Sequence, residues 1–236
     1  MTVSTFIYFA ILFVATEYSN ASIHSLGHKF QQADPAENEV TDTSEKVKFK
    51  TNDKVSLKVY YECLCPDCRQ FDTTQFIRTV LKLGEYLDVK TYPYGNAKTT
   101  ERDGKTEFQC QHGPEECYGN KLHACTLDII KNQTTALVFN ACMMDHSQTG
   151  SGSDDKAADR CGLVLSIDSR PIKKCANSDR GTELLKMYGV ESKKANFNYV
   201  PYVLVNGVEK NGDNLMKEIC EAFANPPPPC TVSKKQ

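Results

Sequence analysis

The sequence predicts an α/β fold class, on three observations. Val55, Leu57, Val59 and Tyr61 alternate with Ser56, Lys58 and Tyr60, the period of a strand. The stretch from Pro66 to Leu83 then carries Ile77, Val80, Leu81 and Gly84 on one helical face, and opens on a proline where the first turn needs no amide donor. A second strand-like run, YLDVKTYPYG, follows and ends at Gly95. Strand, helix and strand in this order make a βαβ unit.

The remaining elements complete the pattern. Residues 114–188 read as helices over Glu115–Lys131, Thr134–Met144, Asp154–Leu165 and Gly181–Tyr188. YVPYVLVNGVEK reads as a strand and hairpin, because Asn206-Gly207 is a strong two-residue turn signal. Leu215, Ile219, Cys220 and Phe223 mark a last amphipathic helix. With the helical block set aside, βαβ followed by ββα remains. That is the thioredoxin arrangement. The expectation is a thioredoxin-like domain over 46–225, with a disulfide-fastened helical insertion at about 110–190.

Composition narrows the setting. The chain has 236 residues, 40% apolar and 25% charged, with a net charge of −2. No basic field points to nucleic acid, and no glycine-rich phosphate loop or internal repeat is present. The unusual feature is eleven cysteines. FIYFAILFVA, Phe6–Ala15, is an apolar run too short for a membrane span of about 20 residues. Ser19 and Ala21 supply a small-residue cleavage site, so residues 1–21 read as a secretory signal peptide. An uncleaved anchor is the alternative. No later stretch is apolar enough to span a bilayer. The mature chain is expected on an oxidising export route, where most cysteines pair.

Both ends of the mature chain read as tails. Residues 22–45 hold Asp34, Glu37, Glu39, Asp42 and Glu45 with almost no apolar residues, the composition of a disordered spacer or a removable pro-segment. The proline run within 226–236 is expected to exclude a helix. Cys230 inside it is expected to be tied down by a bridge.

The chemistry concentrates in YECLCPDC. Cys65-Pro66-Asp67-Cys68 is a C-x-x-C pair at a strand-to-helix junction. The first cysteine would sit exposed at the helix N-terminus, where free amides and the dipole favour a thiolate. The second would lie one turn in and buried. A Cys65 thiolate would attack a substrate disulfide, and Cys68 would resolve the mixed disulfide. Asp67 reads as an acid complementing the helix start. Cys63 reads as a surplus thiol, or one bonded to Cys65 or a distant partner. Val200-Pro201, opening YVLVNG, stands where a cis-proline would face the C-x-x-C and bind extended substrate through its backbone; a plain trans proline at a strand start is the other reading.

A second cluster, CQHGPEECYGNKLHAC, offers two readings. Cys110, His112, Cys117, His123 and Cys125 are all zinc-ligand types, but their spacing matches no usual finger. Exported thiols more often pair. On one helix Cys117 and Cys125 lie about 12 Å apart, beyond the roughly 7 Å a disulfide spans, so each must bond elsewhere. Setting aside Cys63, Cys65 and Cys68 leaves Cys110, Cys117, Cys125, Cys142, Cys161, Cys175, Cys220 and Cys230 as structural disulfide candidates, with the pairing open. These bridges are expected to fasten the insertion and the tail to the core. His24, His28 and His146 lack ligand spacing and read as surface residues. Asn132-Gln133-Thr134 is a glycosylation sequon; a second, at Asn20, would leave with the leader.

The same cluster carries a resemblance. Cys110, Gln111, His112, Gly113, Glu116, Cys117, Asn120 and Cys125 reproduce the C-Q-H-G-x-x-E-C-x-x-N-x-x-x-x-C signature of the gamma-interferon-inducible lysosomal thiol reductase family. YYECLCPDC and VPYVLVNG also resemble that family's active-site and cis-proline segments, so the likeness spans roughly Val55 to Phe223. It implies a thioredoxin-like fold with a helical insertion, reduction of protein disulfides at acidic pH, and a lysosomal or secreted location. Cys65 and Cys68 take the family's redox roles. Cys63 departs from the residue many members carry there. Work at acidic pH requires a Cys65 thiol well below its ordinary pKa.

The expected activity is therefore thiol–disulfide oxidoreduction, mainly reduction of protein disulfides. It needs no bound cofactor or metal, and a small external thiol regenerates the dithiol. An oxidase or isomerase, a non-catalytic secreted binding protein and a zinc module are the rival readings.

Overall fold

A computed structural model describes residues 54–145 and 152–231. Residues 1–21, read above as a signal peptide, the 22–45 segment, His24, His28 and His146 lie outside the described residues.

The central sheet has strand order β2-β1-β5-β6. Strand β1 (Val55–Tyr61) is the inner strand that carries the C-x-x-C at its end. It pairs in parallel with β2 (Leu87–Pro93), from Val55 opposite Leu87 to Tyr61 opposite Pro93. On its other side it pairs antiparallel with β5 (Tyr202–Val205), Leu57 opposite Val205. The hairpin to β6 (Val208–Lys210) turns at Asn206 and Gly207, with φ of 49° and 79°. Positive φ at both positions is what makes Asn-Gly the preferred pair.

The helix after β1 comes in three pieces: α1 (Pro66–Phe71), a π-helical turn (Asp72–Phe76) and α2 (Ile77–Leu83). The Thr73 and Thr74 hydroxyls donate to the Arg69 and Gln70 carbonyls at 2.8 and 2.7 Å, competing with the backbone ladder where it widens. This resets the buried face. It runs through Phe76, Val80 and Leu83, and Leu81, expected on that face, is 39% exposed. Leu57, Phe76, Leu83, Leu215 and Ile219 are fully buried between sheet and helices. Burial of each such side chain is worth about 1.5–3 kcal/mol.

The insertion begins earlier than expected, with a hairpin of β3 (Lys98–Arg102) and β4 (Lys105–Gln109). Five helices follow: α3 (Pro114–Ile129), α4 (Gln133–Met144), α5 (Asp155–Leu165), α6 (Arg170–Ala176) and α7 (Asp179–Ala195). Helix α6 has no counterpart in the sequence reading, and α7 runs well past Tyr188. Leu122, Phe139, Met143 and Ile172 form a second core among these helices.

Four disulfides use all eight candidates: Cys110–Cys117, Cys125–Cys175, Cys142–Cys161 and Cys220–Cys230. Cys117 and Cys125 bond elsewhere, as their separation along α3 requires. The insertion's bridges, however, join its own parts to one another and do not fasten it to the sheet core. Helix α8 (Leu215–Ala222) is linked to the tail, which forms a single helical turn, α9 (Pro228–Thr231). This corrects the expectation of a non-helical tail. Pro228 and Pro229 occupy opening positions where no amide donor is needed, and the Cys230 amide donates to the Pro227 carbonyl at 2.9 Å.

Candidate active site

Strand β1 ends and α1 begins within YECLCPDC, and that junction positions the thiols. Cys65 is the N-cap of α1, with extended backbone at φ −62° and ψ 123°. Cys65 and Cys68 are both free thiols. Cys68 is 1% exposed. Its thiol is pushed well above the ordinary range, first by burial and then by the hydrogen bond it gives to Cys65. That same bond is the largest cause that brings the Cys65 thiol down to about 6 from an ordinary 9.0. The backbone amides of Cys68 and Asp67 at the helix start add to it, while burial and the Asp67 charge oppose it. At pH 5 such a thiol is about one-tenth ionised, against about one in ten thousand for an unshifted one.

Cys65 is less open than the sequence reading expected, at 8% exposed. Its Sγ lies 4.0 Å from the Val200 carbonyl oxygen, and the Val200-Pro201 peptide is cis. Beside it runs a groove of about 300 Å³ lined by Asp67, Gln70, Phe71, Thr74, Pro201 and Gly212. A larger cavity of about 630 Å³ is bordered by Tyr94, Val190 and Phe197, whereas the smaller groove is lined by Asp67 of the C-x-x-C and by the cis Pro201.

Cys63 is buried against α3. Its amide donates to Asn120 Oδ1 at 3.0 Å, and its thiol lies 3.6 Å from the Glu116 carbonyl oxygen. It bonds to neither Cys65 nor a distant partner, and burial raises its pKa well above the ordinary range.

Glu62 is the residue that sequence reasoning missed. It is 0% exposed and directly precedes Cys63. The Asn96 amide donates to its Oε1 at 2.8 Å. Gln111, with its amide nitrogen turned toward Glu62, donates to Oε1 and Oε2 at 2.9 and 3.1 Å. His112 Nδ1 stands 3.4 Å from Glu62 Oε2 and 2.6 Å from Glu116 Oε2. The His112 amide also donates to Glu116 Oε1 at 3.1 Å. Burial pushes the Glu62 carboxyl up to about 7; the Asn96 amide opposes this, while the charges of Glu116 and Cys65 raise it further.

The zinc reading of the second cluster is overturned. Cys110, Cys117 and Cys125 are consumed in disulfides. His123 is buried between the Tyr61 hydroxyl, 2.8 Å from Nδ1, and the Ser153 hydroxyl, 3.0 Å from Nε2. Burial holds His123 down to about 3, so it is neutral. Glu62, His112 and Glu116 are the one group of metal-ligand type atoms within 4.8 Å among the described residues. His112 Nδ1 stands between the two carboxylates, 2.6 Å from Glu116 Oε2 and 3.4 Å from Glu62 Oε2.

The arrangement has known counterparts. The family model described as gamma interferon inducible lysosomal thiol reductase matches residues 56–163. The chain is 31% identical to the gamma-interferon-inducible lysosomal thiol reductase of Carassius auratus, over 74% of this chain and 70% of that one. It is 32% identical to GILT-like protein 1 of Drosophila melanogaster, over 74% and 77% of the two chains. Among solved structures, reduced DsbA of Mycobacterium tuberculosis superposes with a TM-score of 0.54 at 20% identity, over 79% of this chain and 90% of that one. The reduced disulfide bond oxidoreductase DsbG of the same organism gives 0.54 at 20%, over 83% and 88%. The solved structures confirm the thioredoxin-like fold, and the sequence relatives decide the lineage: the chain belongs to the gamma-interferon-inducible lysosomal thiol reductase family.

Proposed function

We propose that this protein reduces disulfide bonds of protein substrates through Cys65 and Cys68. The observation that carries the reading is the asymmetry of the pair: one thiol lowered to about 6, the other buried behind it and raised. The Cys65 thiolate attacks one substrate sulfur, and the substrate S–S bond breaks. The far sulfur leaves with the electron pair and takes a proton. Cys68 then loses its proton and attacks Cys65, releasing the second substrate sulfur and leaving an enzyme disulfide. Two equivalents of a small external thiol restore the dithiol and leave as their own disulfide. Val200 and Pro201 present backbone to an extended substrate segment beside Cys65.

A secreted or lysosomal location is supported by the leader-like Phe6–Ala15 run and by the four disulfides. Among the described residues no helix is long and apolar enough to cross a membrane. Asn132 is exposed, and its Oδ1 accepts from the Thr135 amide at 2.9 Å and the Thr135 hydroxyl at 3.0 Å, bonds that do not use the side-chain nitrogen to which a glycan would attach. A purely binding role would leave the lowered Cys65 thiol without purpose. The test is insulin reduction at pH 5 and pH 7 with the wild type, Cys65→Ser and Cys68→Ser. Loss of turnover in both variants supports the reading; turnover in Cys65→Ser overturns it. An equilibrium with glutathione separates a reductase from an oxidase.

A further inference from the structure

The groove beside Cys65 carries charge of one sign. Asp67, between the paired cysteines, and Asp213, in the loop after β6, both line it and are both exposed, and no lysine, arginine or histidine lines it. Every ion pair among the described residues uses other acids. The Asp213 carboxylate is held in place by its neighbour: Asn211 Nδ2 donates to Oδ2 at 3.0 Å, and the Asp213 amide donates to Asn211 Oδ1 at 3.1 Å.

Between the two acids the groove has an aromatic wall. Phe71 lines it, and the loop closes down on that ring at Gly212, where φ is +77° and a Cβ would fall 2.7 Å from Phe71 Cε2. An apolar ring between two unpaired carboxylates fits an amphipathic cation, whose methylene stem lies on apolar surface while its charged head stays at the wet rim. The groove also adjoins the reacting sulfur. Pro201 lines it and directly follows Val200, whose carbonyl oxygen lies 4.0 Å from Cys65 Sγ.

We propose that this groove selects substrates that carry a lysine or arginine within about two residues of the attacked cysteine, an extended chain advancing about 3.3–3.6 Å per residue, and that Asp67 and Asp213 are the residues that set the preference. The proposal deepens the disulfide-reductase reading and rests on it. A cationic side chain there meets two carboxylates that lack a cation of their own. An acidic one meets the same two charges as repulsion, so specificity comes from both attraction and exclusion. The contact forms on binding and persists through the sulfur exchange, so it acts on KM and not on kcat. Both acids are exposed, so salt screens the effect.

The experiment uses three peptide disulfides that differ only in the residue beside the cysteine: arginine, glutamine or glutamate. The wild type, Asp213→Asn, Asp213→Lys and Asp67→Asn reduce each one at low and high salt. One exposed ion pair is worth up to about fivefold, and attraction and repulsion combine, so the wild-type KM should be about tenfold lower for the arginine peptide than for the glutamate peptide. The kcat values should agree within about twofold. The Asp67 charge also opposes the Cys65 thiolate, so each variant is read by its ratio between peptides, from which thiol reactivity cancels. Asp213→Asn and Asp67→Asn should each shrink the ratio, and Asp213→Lys should reverse it, which a merely structural role for Asp213 would not do. Equal KM values for the three peptides in the wild type, or an unchanged preference in Asp213→Lys, overturn the proposal while turnover of the glutamine peptide upholds the dithiol. Equal turnover of that peptide by Cys65→Ser overturns the dithiol reading itself. Should Asp213→Lys fail to fold, the wild type decides: a preference untouched by high salt overturns the assignment.

Discussion

Gly119 is the point at which α3 closes on Cys63: a Cβ added there would fall 2.5 Å from Cys63 Sγ and 2.7 Å from the Ser153 carbonyl oxygen. The insertion is thereby locked onto the end of β1, one residue from Glu62 and two from Cys65. A glycine to alanine change inside a helix normally gains up to about 1 kcal/mol. Here overpacking against a backbone oxygen outweighs that gain. Gly119→Ala is expected to destabilise the fold by about 1–2 kcal/mol in chemical denaturation, and Cys63→Ala to relieve part of that loss. Cys63→Ala alone should keep turnover within about twofold, since its thiol is buried and bonded to neither partner cysteine. A tenfold loss of turnover would make Cys63 part of the chemistry.

The lowered Cys65 thiol depends most on the hydrogen bond from Cys68. Alkylation rate against pH should show a midpoint near 6 in the wild type. Cys68→Ser keeps a hydroxyl donor and should hold the midpoint within about half a unit. Cys68→Ala removes the donor and should raise it by a unit or more. Equal midpoints in the serine and alanine variants would assign the shift to the helix start instead.

What the sequence made legible follows from how local the cause is. The alternation of β1, a proline at the first turn of α1, and Asn206-Gly207 each act within a few residues, and each element stands where it was expected. The separation of Cys117 and Cys125 along one helix excluded their pairing by geometry alone. Glu62 was invisible because its partners, Asn96, Gln111, His112 and Glu116, lie 34 or more residues away. A lone acid in YECLC carries no pattern. The β3–β4 hairpin has almost no apolar face, so periodicity was silent, although Asp103-Gly104 is itself a hairpin turn signal with φ of 50° and 74°. Leu81 was misplaced because nothing in the sequence announced the π turn that shifts the face.

Asp72, in that π turn, makes stability depend on pH. It is buried, its Oδ1 has no hydrogen-bond partner among the described residues, and burial pushes it up to about 8. Between an unfolded value of about 4 and that folded value, the native chain holds the extra proton, so this contribution to stability falls as pH rises. Glu62 acts in the same direction up to about 7. His123, held down to about 3, opposes them below about 6.5, and Cys65 opposes them above about 6. Asp72→Asn isolates one member. It should stabilise the protein by on the order of 3 kcal/mol at pH 7.5 and by under about 1 kcal/mol at pH 4.5. The same gain at both values, from denaturation midpoints, would show that Asp72 does not titrate in this window.

The bridges should differ in worth according to the loop each closes and what that loop packs. Cys125–Cys175 spans 50 residues and joins α3 to α6 inside the second core, where Cys125 is 0% exposed. Loop entropy alone assigns it about 4 kcal/mol. Cys220–Cys230 spans 10 residues and ties only the tail turn to α8, for about 3 kcal/mol at most. Replacing Cys125 and Cys175 together by alanine should lower the denaturation midpoint more than replacing Cys220 and Cys230. It should also lower reductase turnover, because α3 carries Glu116 and Asn120, whose carbonyl and side-chain oxygens hold Cys63 two residues before Cys65. The Cys220/Cys230 double variant should keep wild-type turnover at 25 °C. If it loses activity while the insertion variant keeps it, the tail and not α3 supports the dithiol.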